Sequence, residues 1–164
     1  MIYLSLGCNL KSKFGNRFKT IKKTISLLKK EKFTILKTSS FYETPSYPKK
    51  NKPKFINIVI KVKFKYSLET LFKKIFLIEK IMGRVRRKKN QSRTCDIDVI
   101  DYNGIIKRSK KIFLPHPQTH KRNFVLYPLQ EISPYWVHPK NKYNINKLIN
   151  NLSQKLKNEI KLVK

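Results

Sequence analysis

Alanine is missing from this chain of 164 residues, glycine occurs four times, acidic side chains nine times and cysteine twice. Each scarcity excludes something. With so little glycine there is neither a G-x-x-x-x-G-K-[ST] loop nor a G-x-G-x-x-G run, so a P-loop or protein-kinase cradle is excluded and any phosphate must be held by side chains. Cys8 and Cys95 lack close pairing and metal-ligand spacing, which reads as two buried, idle thiols rather than a disulfide. Long apolar runs are absent too: the stretch from Met1 is interrupted at Asn9 and Lys11, too short for a signal segment or a membrane span. With no repeat and no linker, the expectation is a cytoplasmic protein without membrane contact, one domain over residues 1–164. That length lets folding bury roughly 70% of the surface the unfolded chain exposes.

What is abundant is positive charge: 39 Lys and Arg against nine acids give a formal +30. A chain this basic raises nucleic-acid binding first, and a basic RNA-binding domain on a ferredoxin-like fold is the alternative reading. The wealth of Lys, Ile, Asn, Phe and Tyr is, however, the pattern of a genome drifting toward A and T codons. Much of the lysine then reads as solvated background, bearing on solubility more than on fold, and no specific nucleic-acid partner is expected. An RNP1 pattern is also missing. Against this background the exceptions carry information. Asp96, Asp98 and Asp101 fall within six positions, Arg84, Arg86, Arg87 and Arg93 within ten, and the two clusters adjoin.

Hydrophobic spacing predicts the elements. Ile2 to Gly7 reads as a buried strand ending in a turn at Gly7, Cys8 and Asn9. Phe14, Phe18, Ile21, Ile25 and Leu28 make one stripe of a helix with lysines opposite. Residues 33–42 read as one strand and 55–65 as another, joined by a proline-bearing loop from Glu43 to Lys54 long enough to be functional. Ser67 caps a second helix that runs to about Met82 and stops at Gly83. A basic loop, a strand over Cys95 to Tyr102 and two helical stretches, Phe124 to Ile132 and Asn144 to Leu156, follow. The order strand, helix, strand, strand, helix, strand predicts an α+β fold, a ferredoxin-like antiparallel sheet with helices on one face.

Side chains alternate along a strand, so Asp96 and Asp98 share a face while Ile97 and Val99 point to the core. Their Cα atoms are expected about 6.5 to 7 Å apart, which lets both carboxylates serve one or two hard cations. By the same parity Asp101 faces the other way and is excluded. A surface ion-pair cluster remains open as the plain reading. An Arg-rich loop beside a carboxylate pair is equally what phosphoryl transfer needs, metal to bridge phosphate oxygens and guanidinium forks to take up developing charge.

At this point the residues match a family. The run Arg84-Val85-Arg86, then Arg93-Thr94-Cys95-Asp96-Ile97-Asp98-Val99-Ile100, resembles the signature of the 6-hydroxymethyl-7,8-dihydropterin pyrophosphokinases. Leu6-Gly7-Cys8-Asn9 is similar to that family's N-terminal turn, and Ser39-Ser40-Phe41-Tyr42-Glu43-Thr44-Pro45 to its S-S-x-Y-x-T-x-P-like segment. Phe55-Ile56-Asn57, Pro115-His116 and Arg122-Asn123-Phe124-Val125-Leu126-Tyr127-Pro128-Leu129 follow in order and spacing.

The resemblance implies pyrophosphate transfer from ATP, as co-substrate, to the hydroxymethyl group of the pterin, with release of AMP. By that analogy Asp96 and Asp98 bind two Mg2+ ions, and Arg84 and Arg93 join them as catalytic residues. Glu79, Arg84, Arg86, Lys89, Arg93, Ile97, His116 and Arg122 contact ATP, the basic loop closing as a lid. Phe55 and Phe124 sandwich the pterin ring, Asn57 pairs with its polar edge, and Thr44, Pro45 and Asp96 complete its site. The implied protein is a monomer whose partners are these two small molecules. Where the family has an aromatic and Gly-Pro before the signature Arg, this chain has Asn90-Gln91-Ser92, and Lys89 stands where an arginine is common.

Overall fold

The computed structural model describes residues 1–46, 53–83, 94–109 and 112–163. In chain order the elements are β1 (Ile2–Cys8), α1 (Arg17–Lys30), β2 (Thr34–Thr38), β3 (Phe41–Thr44), β4 (Phe55–Lys63), α2 (Leu68–Ile81), β5 (Asp96–Tyr102), β6 (Lys107–Arg108) and β7 (Phe113–Leu114). A 3-10 turn (Thr119–Lys121), α3 (Asn123–Ile132), α4 (Ile145–Asn150), α5 (Gln154–Glu159) and β8 (Lys161–Val163) complete the chain.

Local chemistry explains the main helices. Asn16 caps α1 by accepting from the Lys19 amide, and Lys29 and Lys30 sit at its negative end. Phe14 precedes that helix, in a turn closed between Ser12 and Gly15, yet packs on the same core as Phe18. Ser67 caps α2 through the Thr70 amide, and Gly83, at φ 84°, takes the left-handed conformation that ends it. No helix among the described residues is long and apolar enough to cross a membrane.

The strands pair antiparallel in the order β5-β1-β4-β3-β8, with β2 on the other half of β4. If β2 and β3 count as one bent strand, this is the ferredoxin-like arrangement expected, and the family of α+β folds is the one read from the element order. The bend itself was not visible in residues 33–42. It sits at Ser39, whose amide donates to Val59 O while its hydroxyl accepts from the Val59 amide, each at 3.0 Å, so the strand breaks without leaving backbone groups unsatisfied. The helical stretch 144–156 is likewise two pieces, because Ser153 caps α5 after α4 ends. The β6–β7 hairpin and β8 are too short to leave a pattern.

Helices cover both faces, not one. Under α1 and α2 lie Ile2, Leu4, Leu6, Cys8, Ile56, Ile58, Ile60, Val62, Ile97 and Val99, a continuous hydrocarbon core. Under α3 and α4 lie Tyr3, Val59 and Ile100 with Val125, Leu126, Leu129, Trp136, Ile145 and Leu148. Each such side chain removed from water contributes about 1.5 to 3 kcal/mol. Cys8 and Cys95 are free and buried, as expected of idle thiols.

Candidate active site

On the α3 face the sheet can be followed in rows across β5, β1 and β4. Asp98 lies beside Ser5 and Val59, and one row on Asp96 lies beside Gly7 and Asn57. The second core ends at this last row, because Gly7 has no side chain to extend it. A Cβ there would stand 3.0 Å from Asn57 Oδ1 and 3.8 Å from the Phe55 ring. Glycine thus leaves the Asp96 carboxyl and the Asn57 amide on either side of a bare strand.

Asp96 and Asp98 do share a face, with Ile97 and Val99 buried behind them. Asp101 corrects the parity reading. Between Leu4 paired with Val99 and Tyr3 paired with Asp101 the register shifts, so Ile100 is an inserted residue and Asp101 returns to the α3 side. It is still not a ligand candidate: it is buried, and its two oxygens accept from Trp136 Nε1 at 2.9 Å and the Gly104 amide at 2.8 Å.

Asp98 Oδ2 accepts from Arg122 at 2.8 Å, at the start of α3, and lies 3.8 Å from His116 Nε2. The Gln118 amide donates to His116 Nδ1 at 3.2 Å, which leaves Nε2 as the protonated nitrogen facing the carboxylate. Burial pushes the His116 pKa below its usual 6.5, Asp98 opposing and Arg122 reinforcing, so the ring is neutral at pH 7. A cis bond between Leu114 and Pro115 precedes it. His116 also lines a cavity of about 470 Å³ with Lys107, Arg108, His120, His138 and Lys140 among others, and no acid is among its described lining residues. The Arg122 guanidinium also lies 5.4 Å from the centroid of the Phe124 ring.

Asn57 is buried on this face, and its Nδ2 donates to Thr44 Oγ1 at 3.1 Å, so its orientation is set from β3. Phe55, opposite Thr44, is half-buried beside it, as is Pro45. Phe124 is half-buried at the edge of the second core. Asn9, at the end of β1, donates to Ser46 Oγ and to the Pro53 carbonyl, both at 3.4 Å, and so grips the two ends of the proline-bearing segment.

Glu79 and Ile97 fall elsewhere. Ile97 turns its side chain into the first core, and its amide donates to Glu79 Oε1 at 3.1 Å; Glu79 is 3% exposed. The carboxylate therefore grips the edge strand between the two aspartates. Arg84, Arg86, Lys89 and Arg93 lie outside the described residues. The segment that carries them leaves at Gly83 and returns at Thr94, where a Cβ on Gly83 would be 3.9 Å from Thr94 Oγ1, two residues before Asp96.

Among the described residues no group of three or more His, Cys, Asp or Glu could enclose a metal. The aspartate pair supplies two oxygen-donor groups on one face. That suits magnesium, which is bound through one or two carboxylates and completes its shell with water and phosphate oxygens. RNA binding, the alternative reading, would give no reason for two neighbouring carboxylates on this face.

The chain is similar to known proteins of one family. Residues 3–134 match the family model described as 7,8-dihydro-6-hydroxymethylpterin-pyrophosphokinase (HPPK). Over 138 residues the chain is 38% identical to the 2-amino-4-hydroxy-6-hydroxymethyldihydropteridine pyrophosphokinase of Aquifex aeolicus, covering 84% of this chain and 83% of that protein. It is 39% identical over 84% of its length to the folic acid synthesis protein fol1 of Pneumocystis carinii, and 37% over 93% to FOL1 of Dictyostelium discoideum. Of those longer proteins it spans only 18% and 22%. A crystal structure of wild-type Plasmodium falciparum HPPK-DHPS shares the fold, with a TM-score of 0.68 at 17% identity over 91% of this chain and 44% of that one. On the family match and the Aquifex relative together, the chain belongs to the 7,8-dihydro-6-hydroxymethylpterin-pyrophosphokinase family.

Proposed function

We propose that this chain transfers pyrophosphate from ATP to the hydroxymethyl group of 6-hydroxymethyl-7,8-dihydropterin, acting as a cytoplasmic monomer with residues 1–164 as one catalytic unit. The observation that carries the reading is the row Asp96, Gly7, Asn57, which sets a carboxylate near an oriented amide with bare backbone between them.

In this reading Asn57 Oδ1 accepts from the polar edge of the pterin, with its Nδ2 already taken by Thr44, while Phe55 and Phe124 flank the ring and Pro45 borders it. Asp96 and Asp98 would hold two magnesium ions, which would supply positive charge to neutralise the phosphates. Arg122 and the neutral His116 keep Asp98 in place and stand ready to meet a phosphate. Arg84, Arg86, Lys89 and Arg93 approach from the adjoining segment to take the remaining charge. The pterin hydroxyl gives up its proton to water as its oxygen forms a bond to the β-phosphorus, the bond from that phosphorus to the α–β bridging oxygen breaks, and AMP leaves with that oxygen. Glu79 acts on this site through the strand, by its bond to the Ile97 amide.

The test is product analysis. Protein, magnesium, ATP and the dihydropterin alcohol should yield AMP, not ADP, and only with the pterin present. Asp96→Ala and Asp98→Ala should each remove at least roughly a thousandfold of that rate in folded protein. AMP formation that survives both substitutions would sink the assignment.

A further inference from the structure

The helix that carries Phe124 is tied to the sheet at both ends. At its start Arg122 bonds Asp98 on β5. At its end Glu131 reaches β3: its Oε1 accepts from the Ser40 amide and the Ser40 hydroxyl, and its Oε2 from the Tyr42 hydroxyl, all three at 2.9 Å. Three donors thus converge on one exposed carboxylate, from up to 91 residues away in a chain with nine acids. Burial and the bond to Glu131 push the Tyr42 pKa above its usual 10, so the phenol stays a donor.

What this clasp holds can be read from the pairing. Tyr42 stands opposite Asn57 and Thr44 opposite Phe55, so β3 is the strand that seats the Asn57 side chain, through Thr44 Oγ1. On α3, Glu131 and Phe124 are seven residues apart, two turns, and share a face about 10 Å from one another along the axis. Pro128 lies between them and has no amide to give to the Phe124 carbonyl, so over this span the line of the helix is held by its contacts with the sheet as well as by its own bonds. A contact that fixes the far end of α3 against β3 therefore sets where Phe124 hangs relative to Asn57 and Phe55.

We propose that Glu131 is a positioning residue for the pterin subsite, clamping α3 to β3 so that the ring-flanking side chains and the Asn57 amide keep their mutual geometry. This rests on the pterin reading above. The Ser40 and Tyr42 of the S-S-x-Y segment are, on this account, the sheet side of the clamp, and neither touches substrate.

Steady-state kinetics of Glu131→Ala and Glu131→Gln, varying each substrate in turn, tests it. Glu131→Ala should raise KM for the dihydropterin by about tenfold, in keeping with the cost of a small misplacement, and leave KM for ATP and kcat within about twofold. Glu131→Gln should behave nearly as wild type, because its Oε1 still accepts from Ser40 and its Nε2 donates to the Tyr42 oxygen. Equal rises in both KM values, an unchanged pterin KM, or a Gln variant as impaired as Ala would each overturn the proposal. If Glu131→Ala does not fold, Tyr42→Phe removes one bond of the clamp and should raise pterin KM alone by a smaller factor; no rise would overturn the proposal equally. Wild-type protein that makes no pterin-dependent AMP would sink the functional reading itself, whereas normal AMP formation with an unmoved pterin KM sinks only the role of Glu131.

Discussion

The two faces of the central sheet are made differently. Under α1 and α2 the strands present mainly Ile, Leu and Val, and the face excludes water around Glu79 of α2, whose carboxylate holds the Ile97 amide. Under α3 and α4 the apolar rows run only as far as Val59 and Ile100, and then give way to Asp96, Asp98, Gly7 and Asn57. The same three strands thus build a core on one side and a site on the other. The first face gives the second a rigid floor, since carboxylates on a packed strand keep their spacing in a way that loop residues do not.

Substitutions on the two faces should therefore fail in different ways. The largest effect on stability is expected from Ile58→Ala, which empties a fully buried position of the first core and should cost about 2 to 5 kcal/mol in chemical denaturation, with activity per folded molecule retained. Next is Gly7→Ala on the other side. Its methyl would meet Asn57 Oδ1 at 3.0 Å, and displacement of that amide should raise the pterin KM by roughly tenfold while melting temperature changes little.

A smaller effect separates the faces by pH. His138 packs against Trp136 in the second layer, and the Lys140 and Asn141 amides donate to its Nδ1. Burial pushes its pKa below 6.5, the His120 ring reinforcing and Asp101 opposing. As pH falls from 7 through 6.5 the unfolded chain takes up a proton that the folded one resists. Stability should then fall, by at most about 1.4 kcal/mol per pH unit for this group, and His138→Asn should remove that share of the slope while His116 and His120, depressed likewise, keep theirs. No effect at all is expected from a thiol reagent on native protein. Burial pushes Cys8 to about 11 and Cys95 to about 12, so both should react only after unfolding, and fast labelling at pH 7.5 would mean the first core opens.

The first face was legible because periodicity reports cores. The stripes of α1 and α2 and the alternation of β1, β4 and β5 up to Val99 are regular, and the helices' caps are ordinary Asn and Ser. Asp96 and Asp98 were legible for a different reason, as acids in an acid-poor chain. Asp101 was misread because a bulge adds one residue to a strand with no mark in composition, and strand parity is only as good as the count. Thr44, Phe55, Asn57 and Phe124 carry no local sign of function, and only the family resemblance singled them out. Glu131 escaped altogether: its partners are Ser40 and Tyr42, and no spacing rule connects a helix end to a strand so far away in the chain.

The division between the faces is tested most directly by two neighbours on β5, Asp98→Asn and Ile97→Val, each measured for AMP formation and for thermal stability. Asp98→Asn should lose roughly a thousandfold in turnover while its melting temperature stays near that of the parent. Ile97→Val should lose about 0.5 to 1.5 kcal/mol of stability and keep its activity per folded molecule. An Asp98→Asn protein that turns over normally, or an Ile97→Val protein as inactive as Asp98→Asn, would contradict the account.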